Sequence, residues 1–282
     1  MDRWLIHLAR IVGAAGGTFA GLVAVQFMRL RRMEFLPPHP GFYVNHVVDP
    51  PGRGGGHRLR LVVLGDSTTA GVGVARAEDS LPHLLAQRLA AHENAQVHVV
   101  SYGWAGARAA DVAEKQLPRS LEPLRATEDV PFLPGADVVA VVIGSNDATH
   151  QTAPGRYRSA VRTTMEGVRS AAPNARIVLA GIPRFRGALR AIEPLITLAD
   201  GYARLLRPIS RAEAERMGAA YADLAAGVPP RIERGMQFLS TDNFHPSVVG
   251  YSLWADVIFE ALIGQPSAGA RRRTSALEVA GA

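Results

Sequence analysis

The chain has 282 residues, of which 48% are hydrophobic and 20% charged, with a formal net charge of +6 and no cysteine. This composition is typical of a globular protein with a sizeable core, and the lack of cysteine excludes disulfides and a thiol nucleophile. The basic residues form no stripe with interleaved aromatic residues, so we expect no nucleic-acid binding.

The first predicted element is a hydrophobic N-terminal segment, residues 1–32. Ile11 to Met28 carries no charge and just reaches the length that a helix needs to span a bilayer. Arginines flank this stretch on both sides and are slightly more numerous after it. We therefore predict a membrane anchor with the following domain weakly favoured on the cytoplasmic side. The alternatives are a cleaved signal peptide, which implies a secreted protein, and a helix packed on that domain.

The next stretch, residues 33–56, is predicted to be a linker. Prolines at 37, 38, 40, 50 and 51 precede glycines at 52 and 54–56, a composition typical of stiff and then flexible chain. The compact domain is predicted to cover residues 57–264. Residues 265–282 carry no apolar pattern, so we predict a disordered tail there.

Strand-like and helix-like patterns alternate through the compact domain. The predicted strands are Arg58 to Leu64, Gln96 to Ser101, Asp137 to Ile143, Arg176 to Ala180 and Ala219 to Leu224. The predicted helices are Asp79 to His92, Ala107 to Leu117, Tyr157 to Ala171, Gly201 to Met217 and Ser247 to Ile263. This alternation predicts a doubly wound, five-stranded parallel sheet with right-handed crossovers.

Polar residues and glycines follow several of these strands. The stretches concerned are Gly65-Asp66-Ser67, Ser101 to Gly106, Gly144-Ser145-Asn146-Asp147, and Asp242 with His245 just before the last helix. Because ligands bind beyond the carboxyl ends of parallel strands, we expect these loops to share one site.

The residue types in these loops suit nucleophilic catalysis. A serine hydroxyl needs a base, and Asp242 stands three residues before His245, so its carboxylate can reach Nδ1 while Nε2 faces Ser67. The backbone N–H of Ser67, expected at a helix N-terminus, the N–H of Gly106 and the amide of Asn146 are candidate oxyanion donors. The alternative is structural: Asp-x-x-His as a helix cap, and the glycines and Asn146 as turn residues.

On these motifs the chain resembles the SGNH/GDSL hydrolase superfamily. The resemblance rests on Gly65-Asp66-Ser67, Gly106, Gly144-Ser145-Asn146-Asp147 and the pair Asp242 and His245, and it departs from the family at Ser101, where an asparagine is usual. It implies a flavodoxin-like three-layer α/β/α sandwich with no metal or organic cofactor. It also implies esterase, lipase or thioesterase activity on a small-molecule ester, lipid-like esters included.

In this interpretation Ser67, Asp242 and His245 form a catalytic triad, and Ser67, Gly106 and Asn146 form the oxyanion hole. Asp66 is expected to hold the turn rather than to react. The runner-up is a catalytically silent relative that binds an acylated lipid or glycan. The segments Arg184 to Leu198 and Pro118 to Gly135 are candidate apolar walls over the cleft, although their scattered apolar residues fit ordinary packing equally well.

Overall fold

A mixed six-stranded sheet forms the centre of the protein. The computed structural model describes residues 17–18, 21–26, 28, 44–52, 56–124, 131–185 and 193–264. The strands are β1 (Asn45–Val48), β2 (Arg58–Gly65), β3 (Gln96–Ser101), β4 (Val138–Val142), β5 (Arg176–Ala180) and β6 (Ala220–Ala222). Their order across the sheet is β1-β3-β2-β4-β5-β6.

The five predicted strands are all present and pair in parallel. The predicted sheet was nevertheless incomplete, because Asn45–Val48 forms a sixth strand antiparallel to β3. This strand lies within the stretch predicted to be a linker. Its apolar residues Val47 and Val48 are too few to show an alternating pattern, and a strand this short at a sheet edge needs only one neighbour.

Helices cover both faces of the sheet. They are α1 (Leu81–Glu93), α2 (Ala109–Asp111, Val112–Gln116 and Leu117–Ser120 in succession), α3 (Ser145–Thr149), α4 (Pro154–Ala171), α5 (Leu195–Arg216), α6 (Leu224–Gly227) and α7 (Val248–Ile263). Short 3-10 turns occur at Ala77–Asp79, Leu133–Gly135 and Pro229–Arg231. Helix α5 begins six residues before the predicted start at Gly201, and the one-and-a-half-turn helix α3 was not predicted.

Alternating residues of β2 divide between two apolar layers, as expected for a strand buried on both faces. Val62 and Leu64 pack in a cluster with residues of α2, α4 and α5. Leu61 and Val63 pack in another cluster with residues of α1 and α7. The protein therefore has the three-layer α/β/α arrangement that the sequence predicts.

The sheet order determines where a ligand site can form. Among the parallel strands the order β3-β2-β4-β5-β6 is the flavodoxin-like order, which reverses direction between β2 and β4. Ligands bind at this switch point, beyond the carboxyl ends of the strands. The Ser67 turn follows β2, and the Asn146 loop follows β4, so both lie there.

The predicted membrane segment, Ile11 to Met28, lies mostly outside the described residues. In its described part residues 21–26 are helical, and Gln26 Nε2 donates a hydrogen bond to the Glu193 carbonyl at 2.7 Å. In the portions of the chain that the structure describes, no helix combines the length and apolar character needed to cross a membrane. The predicted tail, residues 265–282, is also outside the described residues.

Candidate active site

Ser67 lies in a compact turn at the end of β2. The amides of Thr69 and Ala70 donate to the Asp66 carbonyl at 3.1 Å each, and the Val72 amide donates to the Ser67 carbonyl at 3.0 Å. The expected helix N-terminus at Ser67 is wrong, because α1 begins only at Leu81. The Ser67 N–H is instead left without an intrachain acceptor among the described residues, since the turn bonds close around it.

The side chain of Asp66 holds this turn, as the sequence predicts. Asp66 Oδ1 accepts hydrogen bonds from the Thr68 amide at 3.0 Å and from Thr68 Oγ1 at 2.8 Å. Burial raises the pKa of the Asp66 carboxyl, and the two bonds from Thr68 only partly offset that effect. The geometry is that of an Asx turn, which rigidifies the backbone on either side of Ser67.

Asp242 and His245 lie on one tight loop between Phe238 and Ser247. The Ser247 amide donates to the Phe238 carbonyl at 2.9 Å, and the Ser240 amide donates to the His245 carbonyl at 2.8 Å. These bonds close the loop, so the two functional side chains project from neighbouring positions.

The Ser67 turn and this loop approach each other closely at Gly73. A Cβ atom on Gly73 would lie 2.8 Å from the Pro246 carbonyl oxygen and 3.0 Å from His245 Cβ, and the backbone φ of +101° is unfavourable for any other residue. Glycine at this position therefore lets the two loops meet.

The three side chains form a continuous hydrogen-bonded series. The Ser67 hydroxyl lies 2.9 Å from His245 Nε2, and His245 Nδ1 lies 2.6 Å from Asp242 Oδ2. All three residues are at least nine-tenths buried, at 9%, 5% and 8% exposure for Ser67, His245 and Asp242. The structure thus brings together residues that are 178 positions apart in the chain.

Asp242 is strongly held in its ionised form. Burial alone would raise the pKa of the Asp242 carboxyl, but hydrogen bonds from His245, Ser240 and the Phe244 amide outweigh it and hold the pKa well below its usual value. Asp242 Oδ1 accepts three of these bonds at 2.7–2.9 Å, from Ser240 Oγ and the amides of Phe244 and His245. A fixed carboxylate of this kind orients an imidazole and stabilises its protonated form.

The two other predicted oxyanion donors are the N–H of Gly106 and the side-chain amide of Asn146. Gly106 has a φ of +82° and nothing within 4 Å of where a Cβ atom would stand, and its N–H has no acceptor among the described residues. Asn146 lines the same cavity as Ser67. It donates one Nδ2 hydrogen to the Ala107 carbonyl at 2.9 Å, which leaves the second hydrogen for a ligand.

The loop that carries Gly106 is tied to its neighbours by two side chains. Ser101, which stands where the family usually has asparagine, donates from Oγ to the Thr69 carbonyl at 2.8 Å. The Asp147 carboxylate accepts a hydrogen bond from the Ala109 amide at 2.9 Å. The Ser101 hydroxyl therefore links the Gly106 loop to the Ser67 turn.

A cavity of about 550 Å³ opens beside Ser67 and His245. Most of its lining is apolar and comes from the chain between β6 and His245; this part includes Leu224, Val228, Pro229, Ile232, Met236, Phe238 and Leu239. Pro183 also lines it, together with Arg184 and Phe185 at the start of the Arg184 to Leu198 segment, which favours the wall over ordinary packing there. Residues 186–192 of that segment lie outside the described residues.

The described residues of the Pro118 to Gly135 segment do not line this cavity. Arg119 and Leu124, from the Pro118 to Gly135 segment, line a separate cavity of about 440 Å³ with Tyr102 and Trp104. For the described residues of this segment the prediction is wrong, because a proline-interrupted apolar stretch does not reveal the direction in which it leaves the sheet. The apolar residues between β6 and His245 were not predicted to line the cavity. Their run just before Asp-x-x-His was a sequence signal that could have predicted this lining.

Gln116 was not predicted to contribute to the site. Its carboxamide is fully buried and makes two hydrogen bonds with the backbone of Gly65, directly before the Ser67 turn. A glutamine in a helix carries no local signal of such a contact.

Comparison with known proteins gives a family match. The model of the GDSL-like lipase/acylhydrolase family matches residues 63–253, more than half of the chain. A relative named GDSL-like esterase Rv1075c, from Mycobacterium tuberculosis, is 26% identical over 208 residues, which is 72% of this chain and 62% of the relative. The match therefore spans less than two thirds of that relative's length.

Solved structures share the fold. The crystal structure of TesA aligns with a TM-score of 0.55 and 22% identity, covering 73% of this chain and 99% of that one. A lipase, Lip_vut3 from a goat rumen metagenome, aligns with a TM-score of 0.55 and 19% identity, covering 72% and 97% of the two chains.

Proposed function

Because the chain belongs to the GDSL-like lipase/acylhydrolase family, we propose that it hydrolyses carboxylic esters with Ser67 as the nucleophile. One observation carries the proposal: the hydrogen-bonded series from Ser67 Oγ through His245 to Asp242, with distances of 2.9 and 2.6 Å. If Asp242 only capped a helix and His245 were only a surface histidine, a buried serine hydroxyl beside His245 Nε2 would not be required.

In the proposed reaction Ser67 Oγ attacks the ester carbonyl carbon while His245 Nε2 accepts the hydroxyl proton. Asp242 holds the imidazole by Nδ1–H and stabilises its positive charge. The tetrahedral intermediate collapses, the leaving alcohol takes the proton from His245, and an acyl-serine remains. Water then attacks the acyl group with His245 as the base, which releases the acid and restores Ser67.

The negative charge on the intermediate requires preorganised donors. We assign this role to the N–H groups of Ser67 and Gly106 and to the Nδ2 hydrogen of Asn146 that is not donated to Ala107. The absence of intrachain acceptors for the two backbone groups, among the described residues, supports the assignment, because such groups are available to an oxyanion without breaking other bonds.

The apolar lining of the cavity supports an ester with a hydrophobic acyl or alcohol part. A volume of about 550 Å³ lies within the usual range of small-molecule sites. We propose a lipid-like ester on this basis. Hydrolysis of p-nitrophenyl esters from acetate to palmitate should show a preference for chains longer than acetate.

Labelling with a fluorophosphonate probe tests the proposed nucleophile. We expect one equivalent of probe on the wild type and none on Ser67→Ala, with ester hydrolysis lost in parallel. Ser145→Ala is the matched control, since Ser145 lines the same cavity and should keep both labelling and turnover. An unlabelled wild-type protein would instead favour the silent, ligand-binding relative.

The cellular location of the enzyme is proposed separately, from the sequence of Ile11 to Met28. We propose that this uncharged segment holds the enzyme at a membrane, where a lipid ester is available. Cells would be fractionated, the membranes washed with carbonate, and the N-terminus of the recovered protein sequenced. A soluble protein with Met1 intact would refute the anchor, and a mature N-terminus near Gly21 would make it a signal peptide.

A further inference from the structure

Strand β2 loses one of its neighbours just before the Ser67 turn. The last residue of β2 that pairs with β3 is Val63, opposite Ser101, and the Tyr102 amide donates to the Val63 carbonyl at 2.9 Å. Beyond that point the chain from β3 turns away into the loop that carries Gly106. Since strand residues direct their hydrogen-bonding groups to alternating sides, Gly65 presents its N–H and C=O to the side that β3 has left.

The side chain of Gln116 takes the place of the missing strand. Gly65 N–H donates to Gln116 Oε1 at 2.8 Å, and Gln116 Nε2 donates to the Gly65 carbonyl at 2.7 Å. The carboxamide thus offers the same donor and acceptor that a strand peptide would, and it does so from a position with no exposed surface. Without it, two buried backbone groups would lack partners, which is costly.

The helix that carries Gln116 departs from regular geometry at this residue. Val112–Gln116 forms a π turn, and the Leu117 amide donates to the Val112 carbonyl five residues back. Pro118 follows in the next turn, and proline both lacks an N–H and crowds the carbonyl four residues before it. Single π turns recur where a helix directs a side chain to a functional site.

The backbone that leads to Ser67 is held on both sides as a result. Gln116 binds the Gly65 carbonyl, and the amide of the same peptide bond, at Asp66, donates to the Val142 carbonyl at 3.3 Å. Only the backbone torsions of Asp66 separate this fixed peptide from Ser67. A shift of the peptide would therefore move the Ser67 hydroxyl relative to His245 and the Ser67 N–H relative to a bound oxyanion.

We propose that Gln116 is a positioning residue for the nucleophile, acting through the Gly65–Asp66 peptide. The inference rests on the proposed function, because it assumes that Ser67 reacts. A positioning role affects the geometry of Ser67 in the transition state rather than the binding of the substrate. Replacing Gln116 should therefore lower kcat with little change in KM.

Gln116→Met tests the proposal, since methionine fills a similar volume without either hydrogen bond. We expect kcat for a p-nitrophenyl ester to fall by roughly 10- to 100-fold, the scale of a misplacement of about 1 Å at a reacting group, with KM within about twofold. The rate of fluorophosphonate labelling should fall in parallel.

Thr164→Val is the matched control for loss of a buried hydrogen bond. Thr164 is buried on α4, and its hydroxyl donates only within that helix, to the Ala160 carbonyl at 3.0 Å. We expect this variant to lose less thermal stability than Gln116→Met, because it leaves no backbone group without a partner, and to keep wild-type kcat and labelling rate. A loss of kcat in both variants would attribute the effect of Gln116 to general destabilisation and overturn the proposal.

Gln116→Glu adds a readout that a purely structural role would not move. A protonated carboxylic acid can accept from the Gly65 N–H and donate to the Gly65 carbonyl, whereas an ionised one has only acceptors. The ratio of variant to wild-type kcat should therefore rise as the pH falls. The neighbouring buried carboxyl of Asp66 repels a second negative charge, so it moves the pH range of this rise upwards without changing its direction.

The outcomes separate this inference from the proposed function. Wild-type kcat in folded Gln116→Met, a flat pH ratio in Gln116→Glu, or failure of both variants to fold would each refute a positioning role. An unlabelled wild-type Ser67 would refute the proposed function instead.

Discussion

Replacing Asn146 with alanine tests the oxyanion hole most directly. In the structure one Nδ2 hydrogen of Asn146 binds the Ala107 carbonyl at 2.9 Å, and the proposed reaction uses the other. Alanine removes both, so two effects of different size are expected: one on the reaction and one on the stability of the fold.

The two magnitudes can be separated. Loss of one preorganised donor typically lowers kcat by about 10²–10³, equivalent to about 2.7–4 kcal/mol in the activation free energy. Loss of one neutral hydrogen bond costs about 0.5–1.5 kcal/mol of folding free energy, which lowers Tm by roughly 1–6 °C for a domain of this size. A folded, slightly less stable enzyme with a large defect in kcat is therefore expected.

The assay is steady-state hydrolysis of a p-nitrophenyl ester, with Tm measured on the same preparations. Ser145→Ala is the control, because it truncates the neighbouring cavity residue and should leave kcat within about twofold. KM should change little in either variant, since the donor acts mainly on the transition state. A defect of Asn146→Ala confined to KM would refute the assignment and make Asn146 a substrate-positioning residue.

Three further variants test other parts of the site. Asp242→Asn should lower kcat by about 10⁴, since an amide favours the wrong tautomer of His245; a loss below tenfold by steady-state kinetics would contradict the triad. Asp66→Asn should change the pH dependence of Tm. Burial raises the pKa of the Asp66 carboxyl, so its ionisation lowers the stability of the fold as the pH rises above about 4. The Tm of Asp66→Asn should therefore increase relative to that of the wild type over this range. Parallel curves of Tm against pH would refute this. Ile232→Trp narrows the apolar cavity and should lower kcat/KM for decanoate over acetate esters by roughly 10–100-fold, at about 0.8 kcal/mol for each excluded methylene; an equal effect on both esters would place the acyl chain elsewhere.

The amino-acid sequence was sufficient to predict the parallel part of the sheet and to identify the residues of the candidate site. Long apolar runs such as Leu61 to Leu64 need burial on both faces, and this requirement is local to the run. The carboxyl ends of parallel strands meet at one edge, so the topology alone implied that Ser67, Gly106 and Asn146 lie near one another. The spacing of Asp242 and His245 predicted their mutual contact, because three residues in a turn determine the reach of both side chains.

Tertiary structure decided the features that depend on contacts distant in the chain. Asn45–Val48 becomes a strand only because the outer edge of β3 offers it hydrogen bonds. Gln116 hydrogen-bonds to Gly65, 51 residues earlier in the chain, because β3 turns away there and leaves the Gly65 N–H and C=O without strand partners. Among the described residues, the apolar wall of the cavity likewise lies mostly between β6 and His245 rather than in the Pro118 to Gly135 segment. Local patterns determine which residues must be buried, whereas the packing of the whole sheet determines which backbone groups and apolar surfaces remain for a side chain or a ligand to cover.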